Sequence, residues 1–437
     1  MVRPRYPGVF VLIVLGVATL SGGLVYLSVT IDDEATTAND SLESANYTAE
    51  DAIDELHEAG ITGENVSVGV LDVTGFDTDR AALSSRVNDS REFGEDARPV
   101  EAGDSHGTAT ADTVARIAPD AEMYLGTFET ADGYASGLEW MRERGVDVVV
   151  APVAYAGTLG DGNSRMANAT TEATDRGLVV VAPAGNLGSG HWSGQYAPTD
   201  RERHAFENGP VNEIDGSSGR ASFWLTWDDP SEQYRMELHR FTSTNETELI
   251  ARSVPYDEDG IPNQQLTVEL DGDRYGIAVG GPENATGTTI RVASPTHPLS
   301  DARPAGSVAA PATAPGAISV GAFDPTEETI EPFSSRGPTP DGRLGVTVVA
   351  SSSQPSGGDP FVGTSASAAF VGGVTALTVA AGPGLDPDEV RWSIAASADP
   401  LNGTDTKSGH GEIDPQGAVI EAAERDGEAS PELRPSE

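Results

Sequence analysis

The sequence predicts an α/β protein with a mostly parallel sheet, into which an all-β unit is inserted. Three observations lead there. Short apolar runs, VSVGVLD at 66–72, VDVVVAPVA at 146–154 and LVVVAPA at 178–184, have the length and β-branched content of buried strands. Helical segments separate them: HGTATADTVARIA, YASGLEWMRERG and NSRMANATTEATDRG. Strands alternating with helices give a parallel sheet covered on both faces, and the sites of such sheets lie beyond the carboxyl ends of the strands. Between residues 195 and 298 the texture changes to ASFWLTWDD, YRMELHRF, QLTVEL and TTIRVAS, alternating stretches parted by Gly, Asp and Pro that read as a small antiparallel β-sandwich. After residue 307 the first texture returns with AISVGAF and VTVVASS.

Each segment follows in order. Arg3 and Arg5, in a short cytoplasmic stretch 1–7, precede 22 uncharged residues, 8–29, and Asp32, Asp33 and Glu34 come straight after them. At about 1.5 Å per residue that length crosses a hydrocarbon core of about 30 Å. Basic residues before it and acidic ones after it predict a single-pass transmembrane helix that holds the body outside the cell membrane. Residues 30–47, acidic and Ser/Thr-rich, read as a tether. The α/β domain then takes residues 48–194 and 299–425, opening with TAEDAIDELHEAG, where Ala52, Ile53 and Leu56 recur at helical spacing. The β-sandwich occupies 195–298, and 426–437 form a polar tail.

Composition narrows the chemistry. With 69 acidic residues against 26 basic ones the formal net charge is -43, a surface that repels nucleic acid. Lys407 is the only lysine. Acid excess with arginine as almost the only cation is the pattern of a protein adapted to high salt, where the Debye length falls to about 3 Å at 1 M and self-repulsion is screened. The absence of cysteine excludes disulfides, thiolate catalysis and Cys-based metal sites.

Three stretches carry chemistry. VGVLDVTGFD puts Asp72 at a strand end, SHGTATADTVARIAPDAE puts His106 at a helix entry, and GTSASAAFVGGVTAL puts Ser365 at another. Serine is a poor nucleophile until a base takes its proton, and that base needs a carboxylate to hold its tautomer. The order Asp, His, Ser is that of subtilisin, whereas the GxSxG elbow of α/β-hydrolases and the HExxH zinc motif are both missing from the sequence.

On these blocks, together with GLVVVAPAGN ending in Asn186 and FSSRGPTPDGR at 333–343, the chain resembles the subtilisin-like serine peptidases over most of 55–190 and 300–425. The resemblance implies a three-layer subtilisin-like fold and a serine endopeptidase acting on protein or peptide substrates. It implies that Asp72 orients His106, that His106 acts as general base and then general acid, and that Ser365 attacks the carbonyl. The Asn186 side-chain amide and the Ser365 N–H would then stabilise the oxyanion. No cofactor is required. The family often carries structural calcium, but YDEDG and VELDGD fit no EF-hand spacing and no ligand set carries over. Two departures stand out: DVTG has one residue more between Asp72 and Gly75 than the family's acid motif, and Ala369 and Phe370 stand where the nucleophile helix usually has proline and often histidine.

Blander roles compete with these. Asn186 in AGN can serve a left-handed turn, and Ser365 can be a helix N-cap. A second reading of the whole keeps the scaffold and retires the site, leaving a catalytically inactive surface protein that displays the β-sandwich for binding. The charge pattern makes its own prediction: the unfolding midpoint should rise as KCl is raised from dilute buffer to molar concentration, and full stability in dilute buffer would contradict the high-salt reading.

Overall fold

The computed structural model describes residues 11–14, 28–31, 49–101, 105–199, 203–243, 246–256, 260–285, 287–356, 360–401 and 403–429. Its central sheet has eight strands, in the order Thr329–Ile330, Ile318–Asp324, Val179–Pro183, Val148–Val150, Ser67–Asp72, Glu122–Phe128 and Val87–Phe93, with Val348–Ser351 pairing alongside Ile318–Asp324. All of these pairings are parallel except that of Thr329–Ile330, which runs antiparallel.

Period-two burial explains why the sheet is covered twice. Val148 and Val150 point into one apolar cluster and Val149 into another. The first cluster joins the strands to helices α1 (Ala49–Glu58) and α2 (Ser105–Ile117), and to α5 (Thr364–Ala381), α6 (Pro387–Ser397) and α7 (Pro415–Ala429), through residues such as Ile53, Ile117, Val374, Ile394 and Val419. The second joins them to α3 (Ala131–Glu143) and α4 (Arg165–Thr174) through Leu138, Met141 and Met166. The result is helix, sheet, helix. Full burial of each such aliphatic side chain stabilises by about 1.5–3 kcal/mol before entropy is counted.

Helix α5 is the innermost element, and every residue from Thr364 to Thr378 is buried. Small residues make this possible. A Cβ added at Gly372 would lie 2.2 Å from Val150 Cγ2, and one at Gly373 would lie 2.6 Å from Ile117 Cβ, so α5 rests almost backbone to side chain on the sheet and on α2. Phe370, where the resembled family often has histidine, is a core side chain at 2% exposure.

Three strands of the sheet are not among the predicted ones, the two-residue edge strand Thr329–Ile330 among them. Val87–Phe93 is an edge strand with mostly polar, outward side chains, which hides it from an apolar-run reading but protects an exposed edge. Glu122–Phe128 follows α2 after a short turn and is buried from Met123 onward. The predicted transmembrane helix over 8–29 needs correcting. Within it, Val11–Val14 and the start of Ser28–Ile31 are short strands, paired antiparallel. Runs such as VLIV are β-branched and favour extended backbone as readily as helix. The remainder of 8–29 lies outside the described residues, as does the tether 32–47. Among the described residues one helix is long and apolar enough to cross a membrane, and it is α5, 83% of it buried inside the fold.

Residues 191–293 build two antiparallel sheets. One has the order Val254–Pro255, Asn263–Asp271, Ser218–Trp227, Thr289–Ala293 and His191–Gln195; the other has Thr247–Arg252, Arg235–Phe241, Tyr275–Gly280 and Asn212–Glu213. They share one apolar cluster that includes Trp192, Phe223, Met236 and Ile277. Because Trp192 belongs to it, this unit starts at His191, a few residues before the expected 195. At the other end α7 runs to Ala429, past the expected domain end at 425.

The packing of α5 gives a prediction. Gly372→Val forces a branched side chain against Val150 and should cost about 1–3 kcal/mol by overpacking, read as a lower urea midpoint in molar salt.

Candidate active site

Asp72 is the last residue of the strand Ser67–Asp72, at its carboxyl end, and is fully buried. Its Oδ2 lies 2.7 Å from His106 Nδ1, with both side chains sealed from solvent. An ionised carboxylate only accepts, so Nδ1 carries the proton and Nε2 holds the ring's lone pair. Burial pushes the His106 imidazole well below its ordinary value near 6.5. The neighbouring carboxylate opposes that shift, since an anion favours the protonated ring. The net outcome is a neutral, correctly tautomerised base at physiological pH.

The additional residue in DVTG does not displace the acid. Thr74 N–H donates to Asp72 Oδ1 at 2.8 Å, fixing the second carboxylate oxygen, and Thr74 Oγ1 accepts from Gly107 N–H at 2.9 Å. The same threonine thus closes the turn after the strand and ties it to the first turn of α2. Sequence reading gave Thr74 no role.

Ser365 is the second residue of α5 and 7% exposed. The strand just before α5, Phe361–Val362, packs against His106 and α2: the Phe361 ring stands edge-on to the imidazole with centroids 5.1 Å apart, and Ala109 of α2 clusters with Phe361, Ala366 and Ala369. The Ser365 hydroxyl donates to Pro152 O at 3.0 Å, beyond the end of the strand Val148–Val150. Ser365 is not the N-cap. That position is Gly363, whose φ of +126° and ψ of 177° make no side-chain cap and suit glycine alone.

Asn186 sits across this helix entry. Its Oδ1 accepts from both Thr364 N–H, at 3.1 Å, and Thr364 Oγ1, at 2.8 Å, which fixes the amide plane and leaves Nδ2 as the outward donor. A Cβ at Gly363 would come within 3.0 Å of that Nδ2. The left-handed turn in AGN belongs to Gly185, with φ +108°, and Asn186 itself has no positive φ. The Ser365 N–H, in the first turn of α5, takes no acceptor among the described residues, as expected of a helix N-terminal amide. Thr364 is therefore a second role missed in the sequence, although its place in GTS was visible.

The structure thus joins Asp72 to His106 directly and Asn186 to the entry of α5 through Thr364, while the Ser365 hydroxyl is bonded to Pro152 O and not to the imidazole. The buried acid–imidazole pair can act as a base toward a nearby hydroxyl, and the first turn of α5 offers amide donors. Among the described residues no group of three or more His, Asp or Glu side chains is placed to hold a metal ion; most of YDEDG, residues 257–259, lies outside them.

Residues 278–411 match the Subtilase family. Subtilisin E of Bacillus subtilis (strain 168) is 31% identical over 183 residues, covering 38% of this chain and 46% of that protein. Subtilisin BL of Lederbergia lenta is 34% identical over 148 residues, covering 30% of this chain and 52% of its own. The chain spans about half the length of these curated relatives. In overall structure the chain is similar to the Clostridium perfringens CspB protease, with a TM-score of 0.64 at 17% identity over 86% of this chain and 98% of the other, which establishes a subtilisin-like α/β fold. The family match over 278–411 and the partial likeness to these subtilisins lie within a chain whose fold is subtilisin-like.

Proposed function

We propose that the chain is a serine endopeptidase that hydrolyses peptide bonds of protein or peptide substrates through an acyl-enzyme. The observation that carries this reading is the sealed 2.7 Å contact between Asp72 and His106, residues 34 positions apart, next to the helix entry that holds Ser365. A buried carboxylate held against one imidazole nitrogen is costly unless its charge has a task.

The steps follow from the groups. Ser365 Oγ turns from Pro152 O about its side-chain torsion and gives its proton to His106 Nε2 as it bonds to the substrate carbonyl carbon. Asp72 stabilises the imidazolium so formed. Negative charge moving onto the carbonyl oxygen is met by Asn186 Nδ2–H and Ser365 N–H, the latter reinforced by the N-terminal end of α5. His106 then protonates the departing amine, the C–N bond breaks, and water reverses the sequence to free Ser365.

The alternative, a retired scaffold, is less well supported: Thr364 spends two hydrogen bonds on aiming Asn186, which a site without chemistry does not need. The acid excess fits work at high salt, and a location outside the cell at the membrane surface rests only on the sequence of the N-terminus, where Arg3 and Arg5 precede the uncharged 8–29 run and Asp32, Asp33 and Glu34 follow it. The two-sheet unit, read as a β-sandwich module appended to the peptidase domain, serves the substrate or the surface rather than the chemistry.

In molar salt a fluorophosphonate probe should label Ser365, and Ser365→Ala should abolish both labelling and casein cleavage; a wild-type chain that neither labels nor cleaves would sink the reading. Asn186→Ala should lower kcat by about 10²–10³ with little change in KM, since that donor acts on the oxyanion. Because His106 titrates below its ordinary value, kcat/KM should stay on its plateau as pH falls through 6.5, with the acid limb lying below that; a limb centred above 7 would contradict the burial seen here.

A further inference from the structure

The segment that follows the strand Val148–Val150 forms one side of the site. Pro152 O receives the Ser365 hydroxyl, and a Cβ on Gly185, the neighbour of Asn186, would lie 3.4 Å from Ala154 Cβ. Residues 152–158 carry no helix or extended strand of their own; Tyr155 makes only an isolated bridge, exchanging backbone hydrogen bonds with Ala310 at 2.7 and 3.3 Å. Something else must hold the rest.

That something is the inserted two-sheet unit. Asn263 Nδ2 donates to Gly157 O at 2.9 Å, and Arg291 donates to Thr158 O at 2.9 Å. The Trp224 indole stands edge-on to Tyr155 with centroids 5.2 Å apart, and Tyr256 packs on both rings. Gly157 lies so close to Trp224 that an added Cβ would come within 2.6 Å of the indole. Arg291 is buried in full, and its guanidinium also reaches Ser307 O at 3.1 Å and Val308 O at 3.3 Å, so one cation clamps two loops of the α/β domain. Burying a cation whose hydrogen bonds go to carbonyls is expensive even with Asp161 offsetting part of the cost, and a covering module with no other task would present an apolar face instead.

We propose that the insert is part of the substrate-binding machinery: Asn263, Arg291 and Trp224 are positioning residues that fix 152–158 as a rigid wall beside Ser365. This rests on the peptidase reading for its consequence, but not for the clamp itself. A wall that moves costs substrate binding before it costs chemistry, because Asp72, His106, Asn186 and α5 are held by other contacts.

The test uses the full chain in molar salt, with Asn263→Ala and the half-exposed Tyr256→Ala, which spares the core should the first variant fold poorly. Amide hydrogen exchange over 152–160 should quicken about fivefold in Asn263→Ala while α5 stays protected, the scale expected for one lost hydrogen bond. On a tetrapeptide anilide KM should rise by about the same factor with kcat nearly unchanged, and the fluorophosphonate rate at Ser365 should hold. Wild-type exchange in both variants overturns the clamp whatever the activity. Faster exchange with an unaltered KM overturns the binding role. A wild-type chain inert to the probe removes the peptidase reading and leaves the exchange arm to decide the clamp.

Discussion

A helix buried on every side has no face to give to water, and α5 meets that constraint by giving up side-chain volume. Gly372 and Gly373 let its backbone settle on Val150 and Ile117, and the flanking Val371, Val374 and Leu377 help fill the first apolar cluster. The depth of α5 decides where its first turn emerges: at the rim, with Gly363 bending the chain inward and Thr364 and Ser365 presented together. The site's geometry is therefore set from inside the core. The place of the Ser365 hydroxyl and N–H derives from one close helix-to-sheet contact, and Thr364 carries that placement on to Asn186.

Electrostatics at the rim and at the surface follow opposite rules. Outside, the acid excess acts through screening, so its contribution depends on ionic strength. Inside, the Asp72–His106 pair is shielded and largely insensitive to salt, and burial keeps the imidazole neutral despite the adjoining carboxylate. The buried Glu237 of the insert shows the same logic with another outcome: burial alone would raise it, but His239, Arg252 and Arg203 outweigh that and hold it at about 2. Partner type, rather than burial, decides which of these groups stays charged.

Much of this was legible in the sequence because the signals were chemical rather than statistical. Asp72 at the end of SVGVLD, His106 opening a helix and Ser365 before a run of small residues each stand where predicted, as do the strands Val148–Val150 and Val179–Pro183. What escaped was set by neighbours in space. No pattern in VNDSREF announces a strand, since an edge strand faces water. The reach of Asp72 across DVTG depended on Thr74, and the aim of Asn186 on Thr364, both hydrogen bonds that spacing does not encode. In the 8–29 run length and hydropathy read as a spanning helix, whereas its described parts, Val11–Val14 and the start of Ser28–Ile31, are extended and paired.

The innermost helix also follows most of the sheet that seats it in chain order. Everything from Ala49 to Pro183 leaves the ribosome with the apolar seat for α5, including Val150 and Ile117, uncovered, and the chain must complete the insert before residue 364 appears. A nascent chain thus holds the Asp72–His106 pair before Ser365 is added, so on the proposed peptidase reading no acyl-enzyme can form while the sheet and the two-sheet unit are being made.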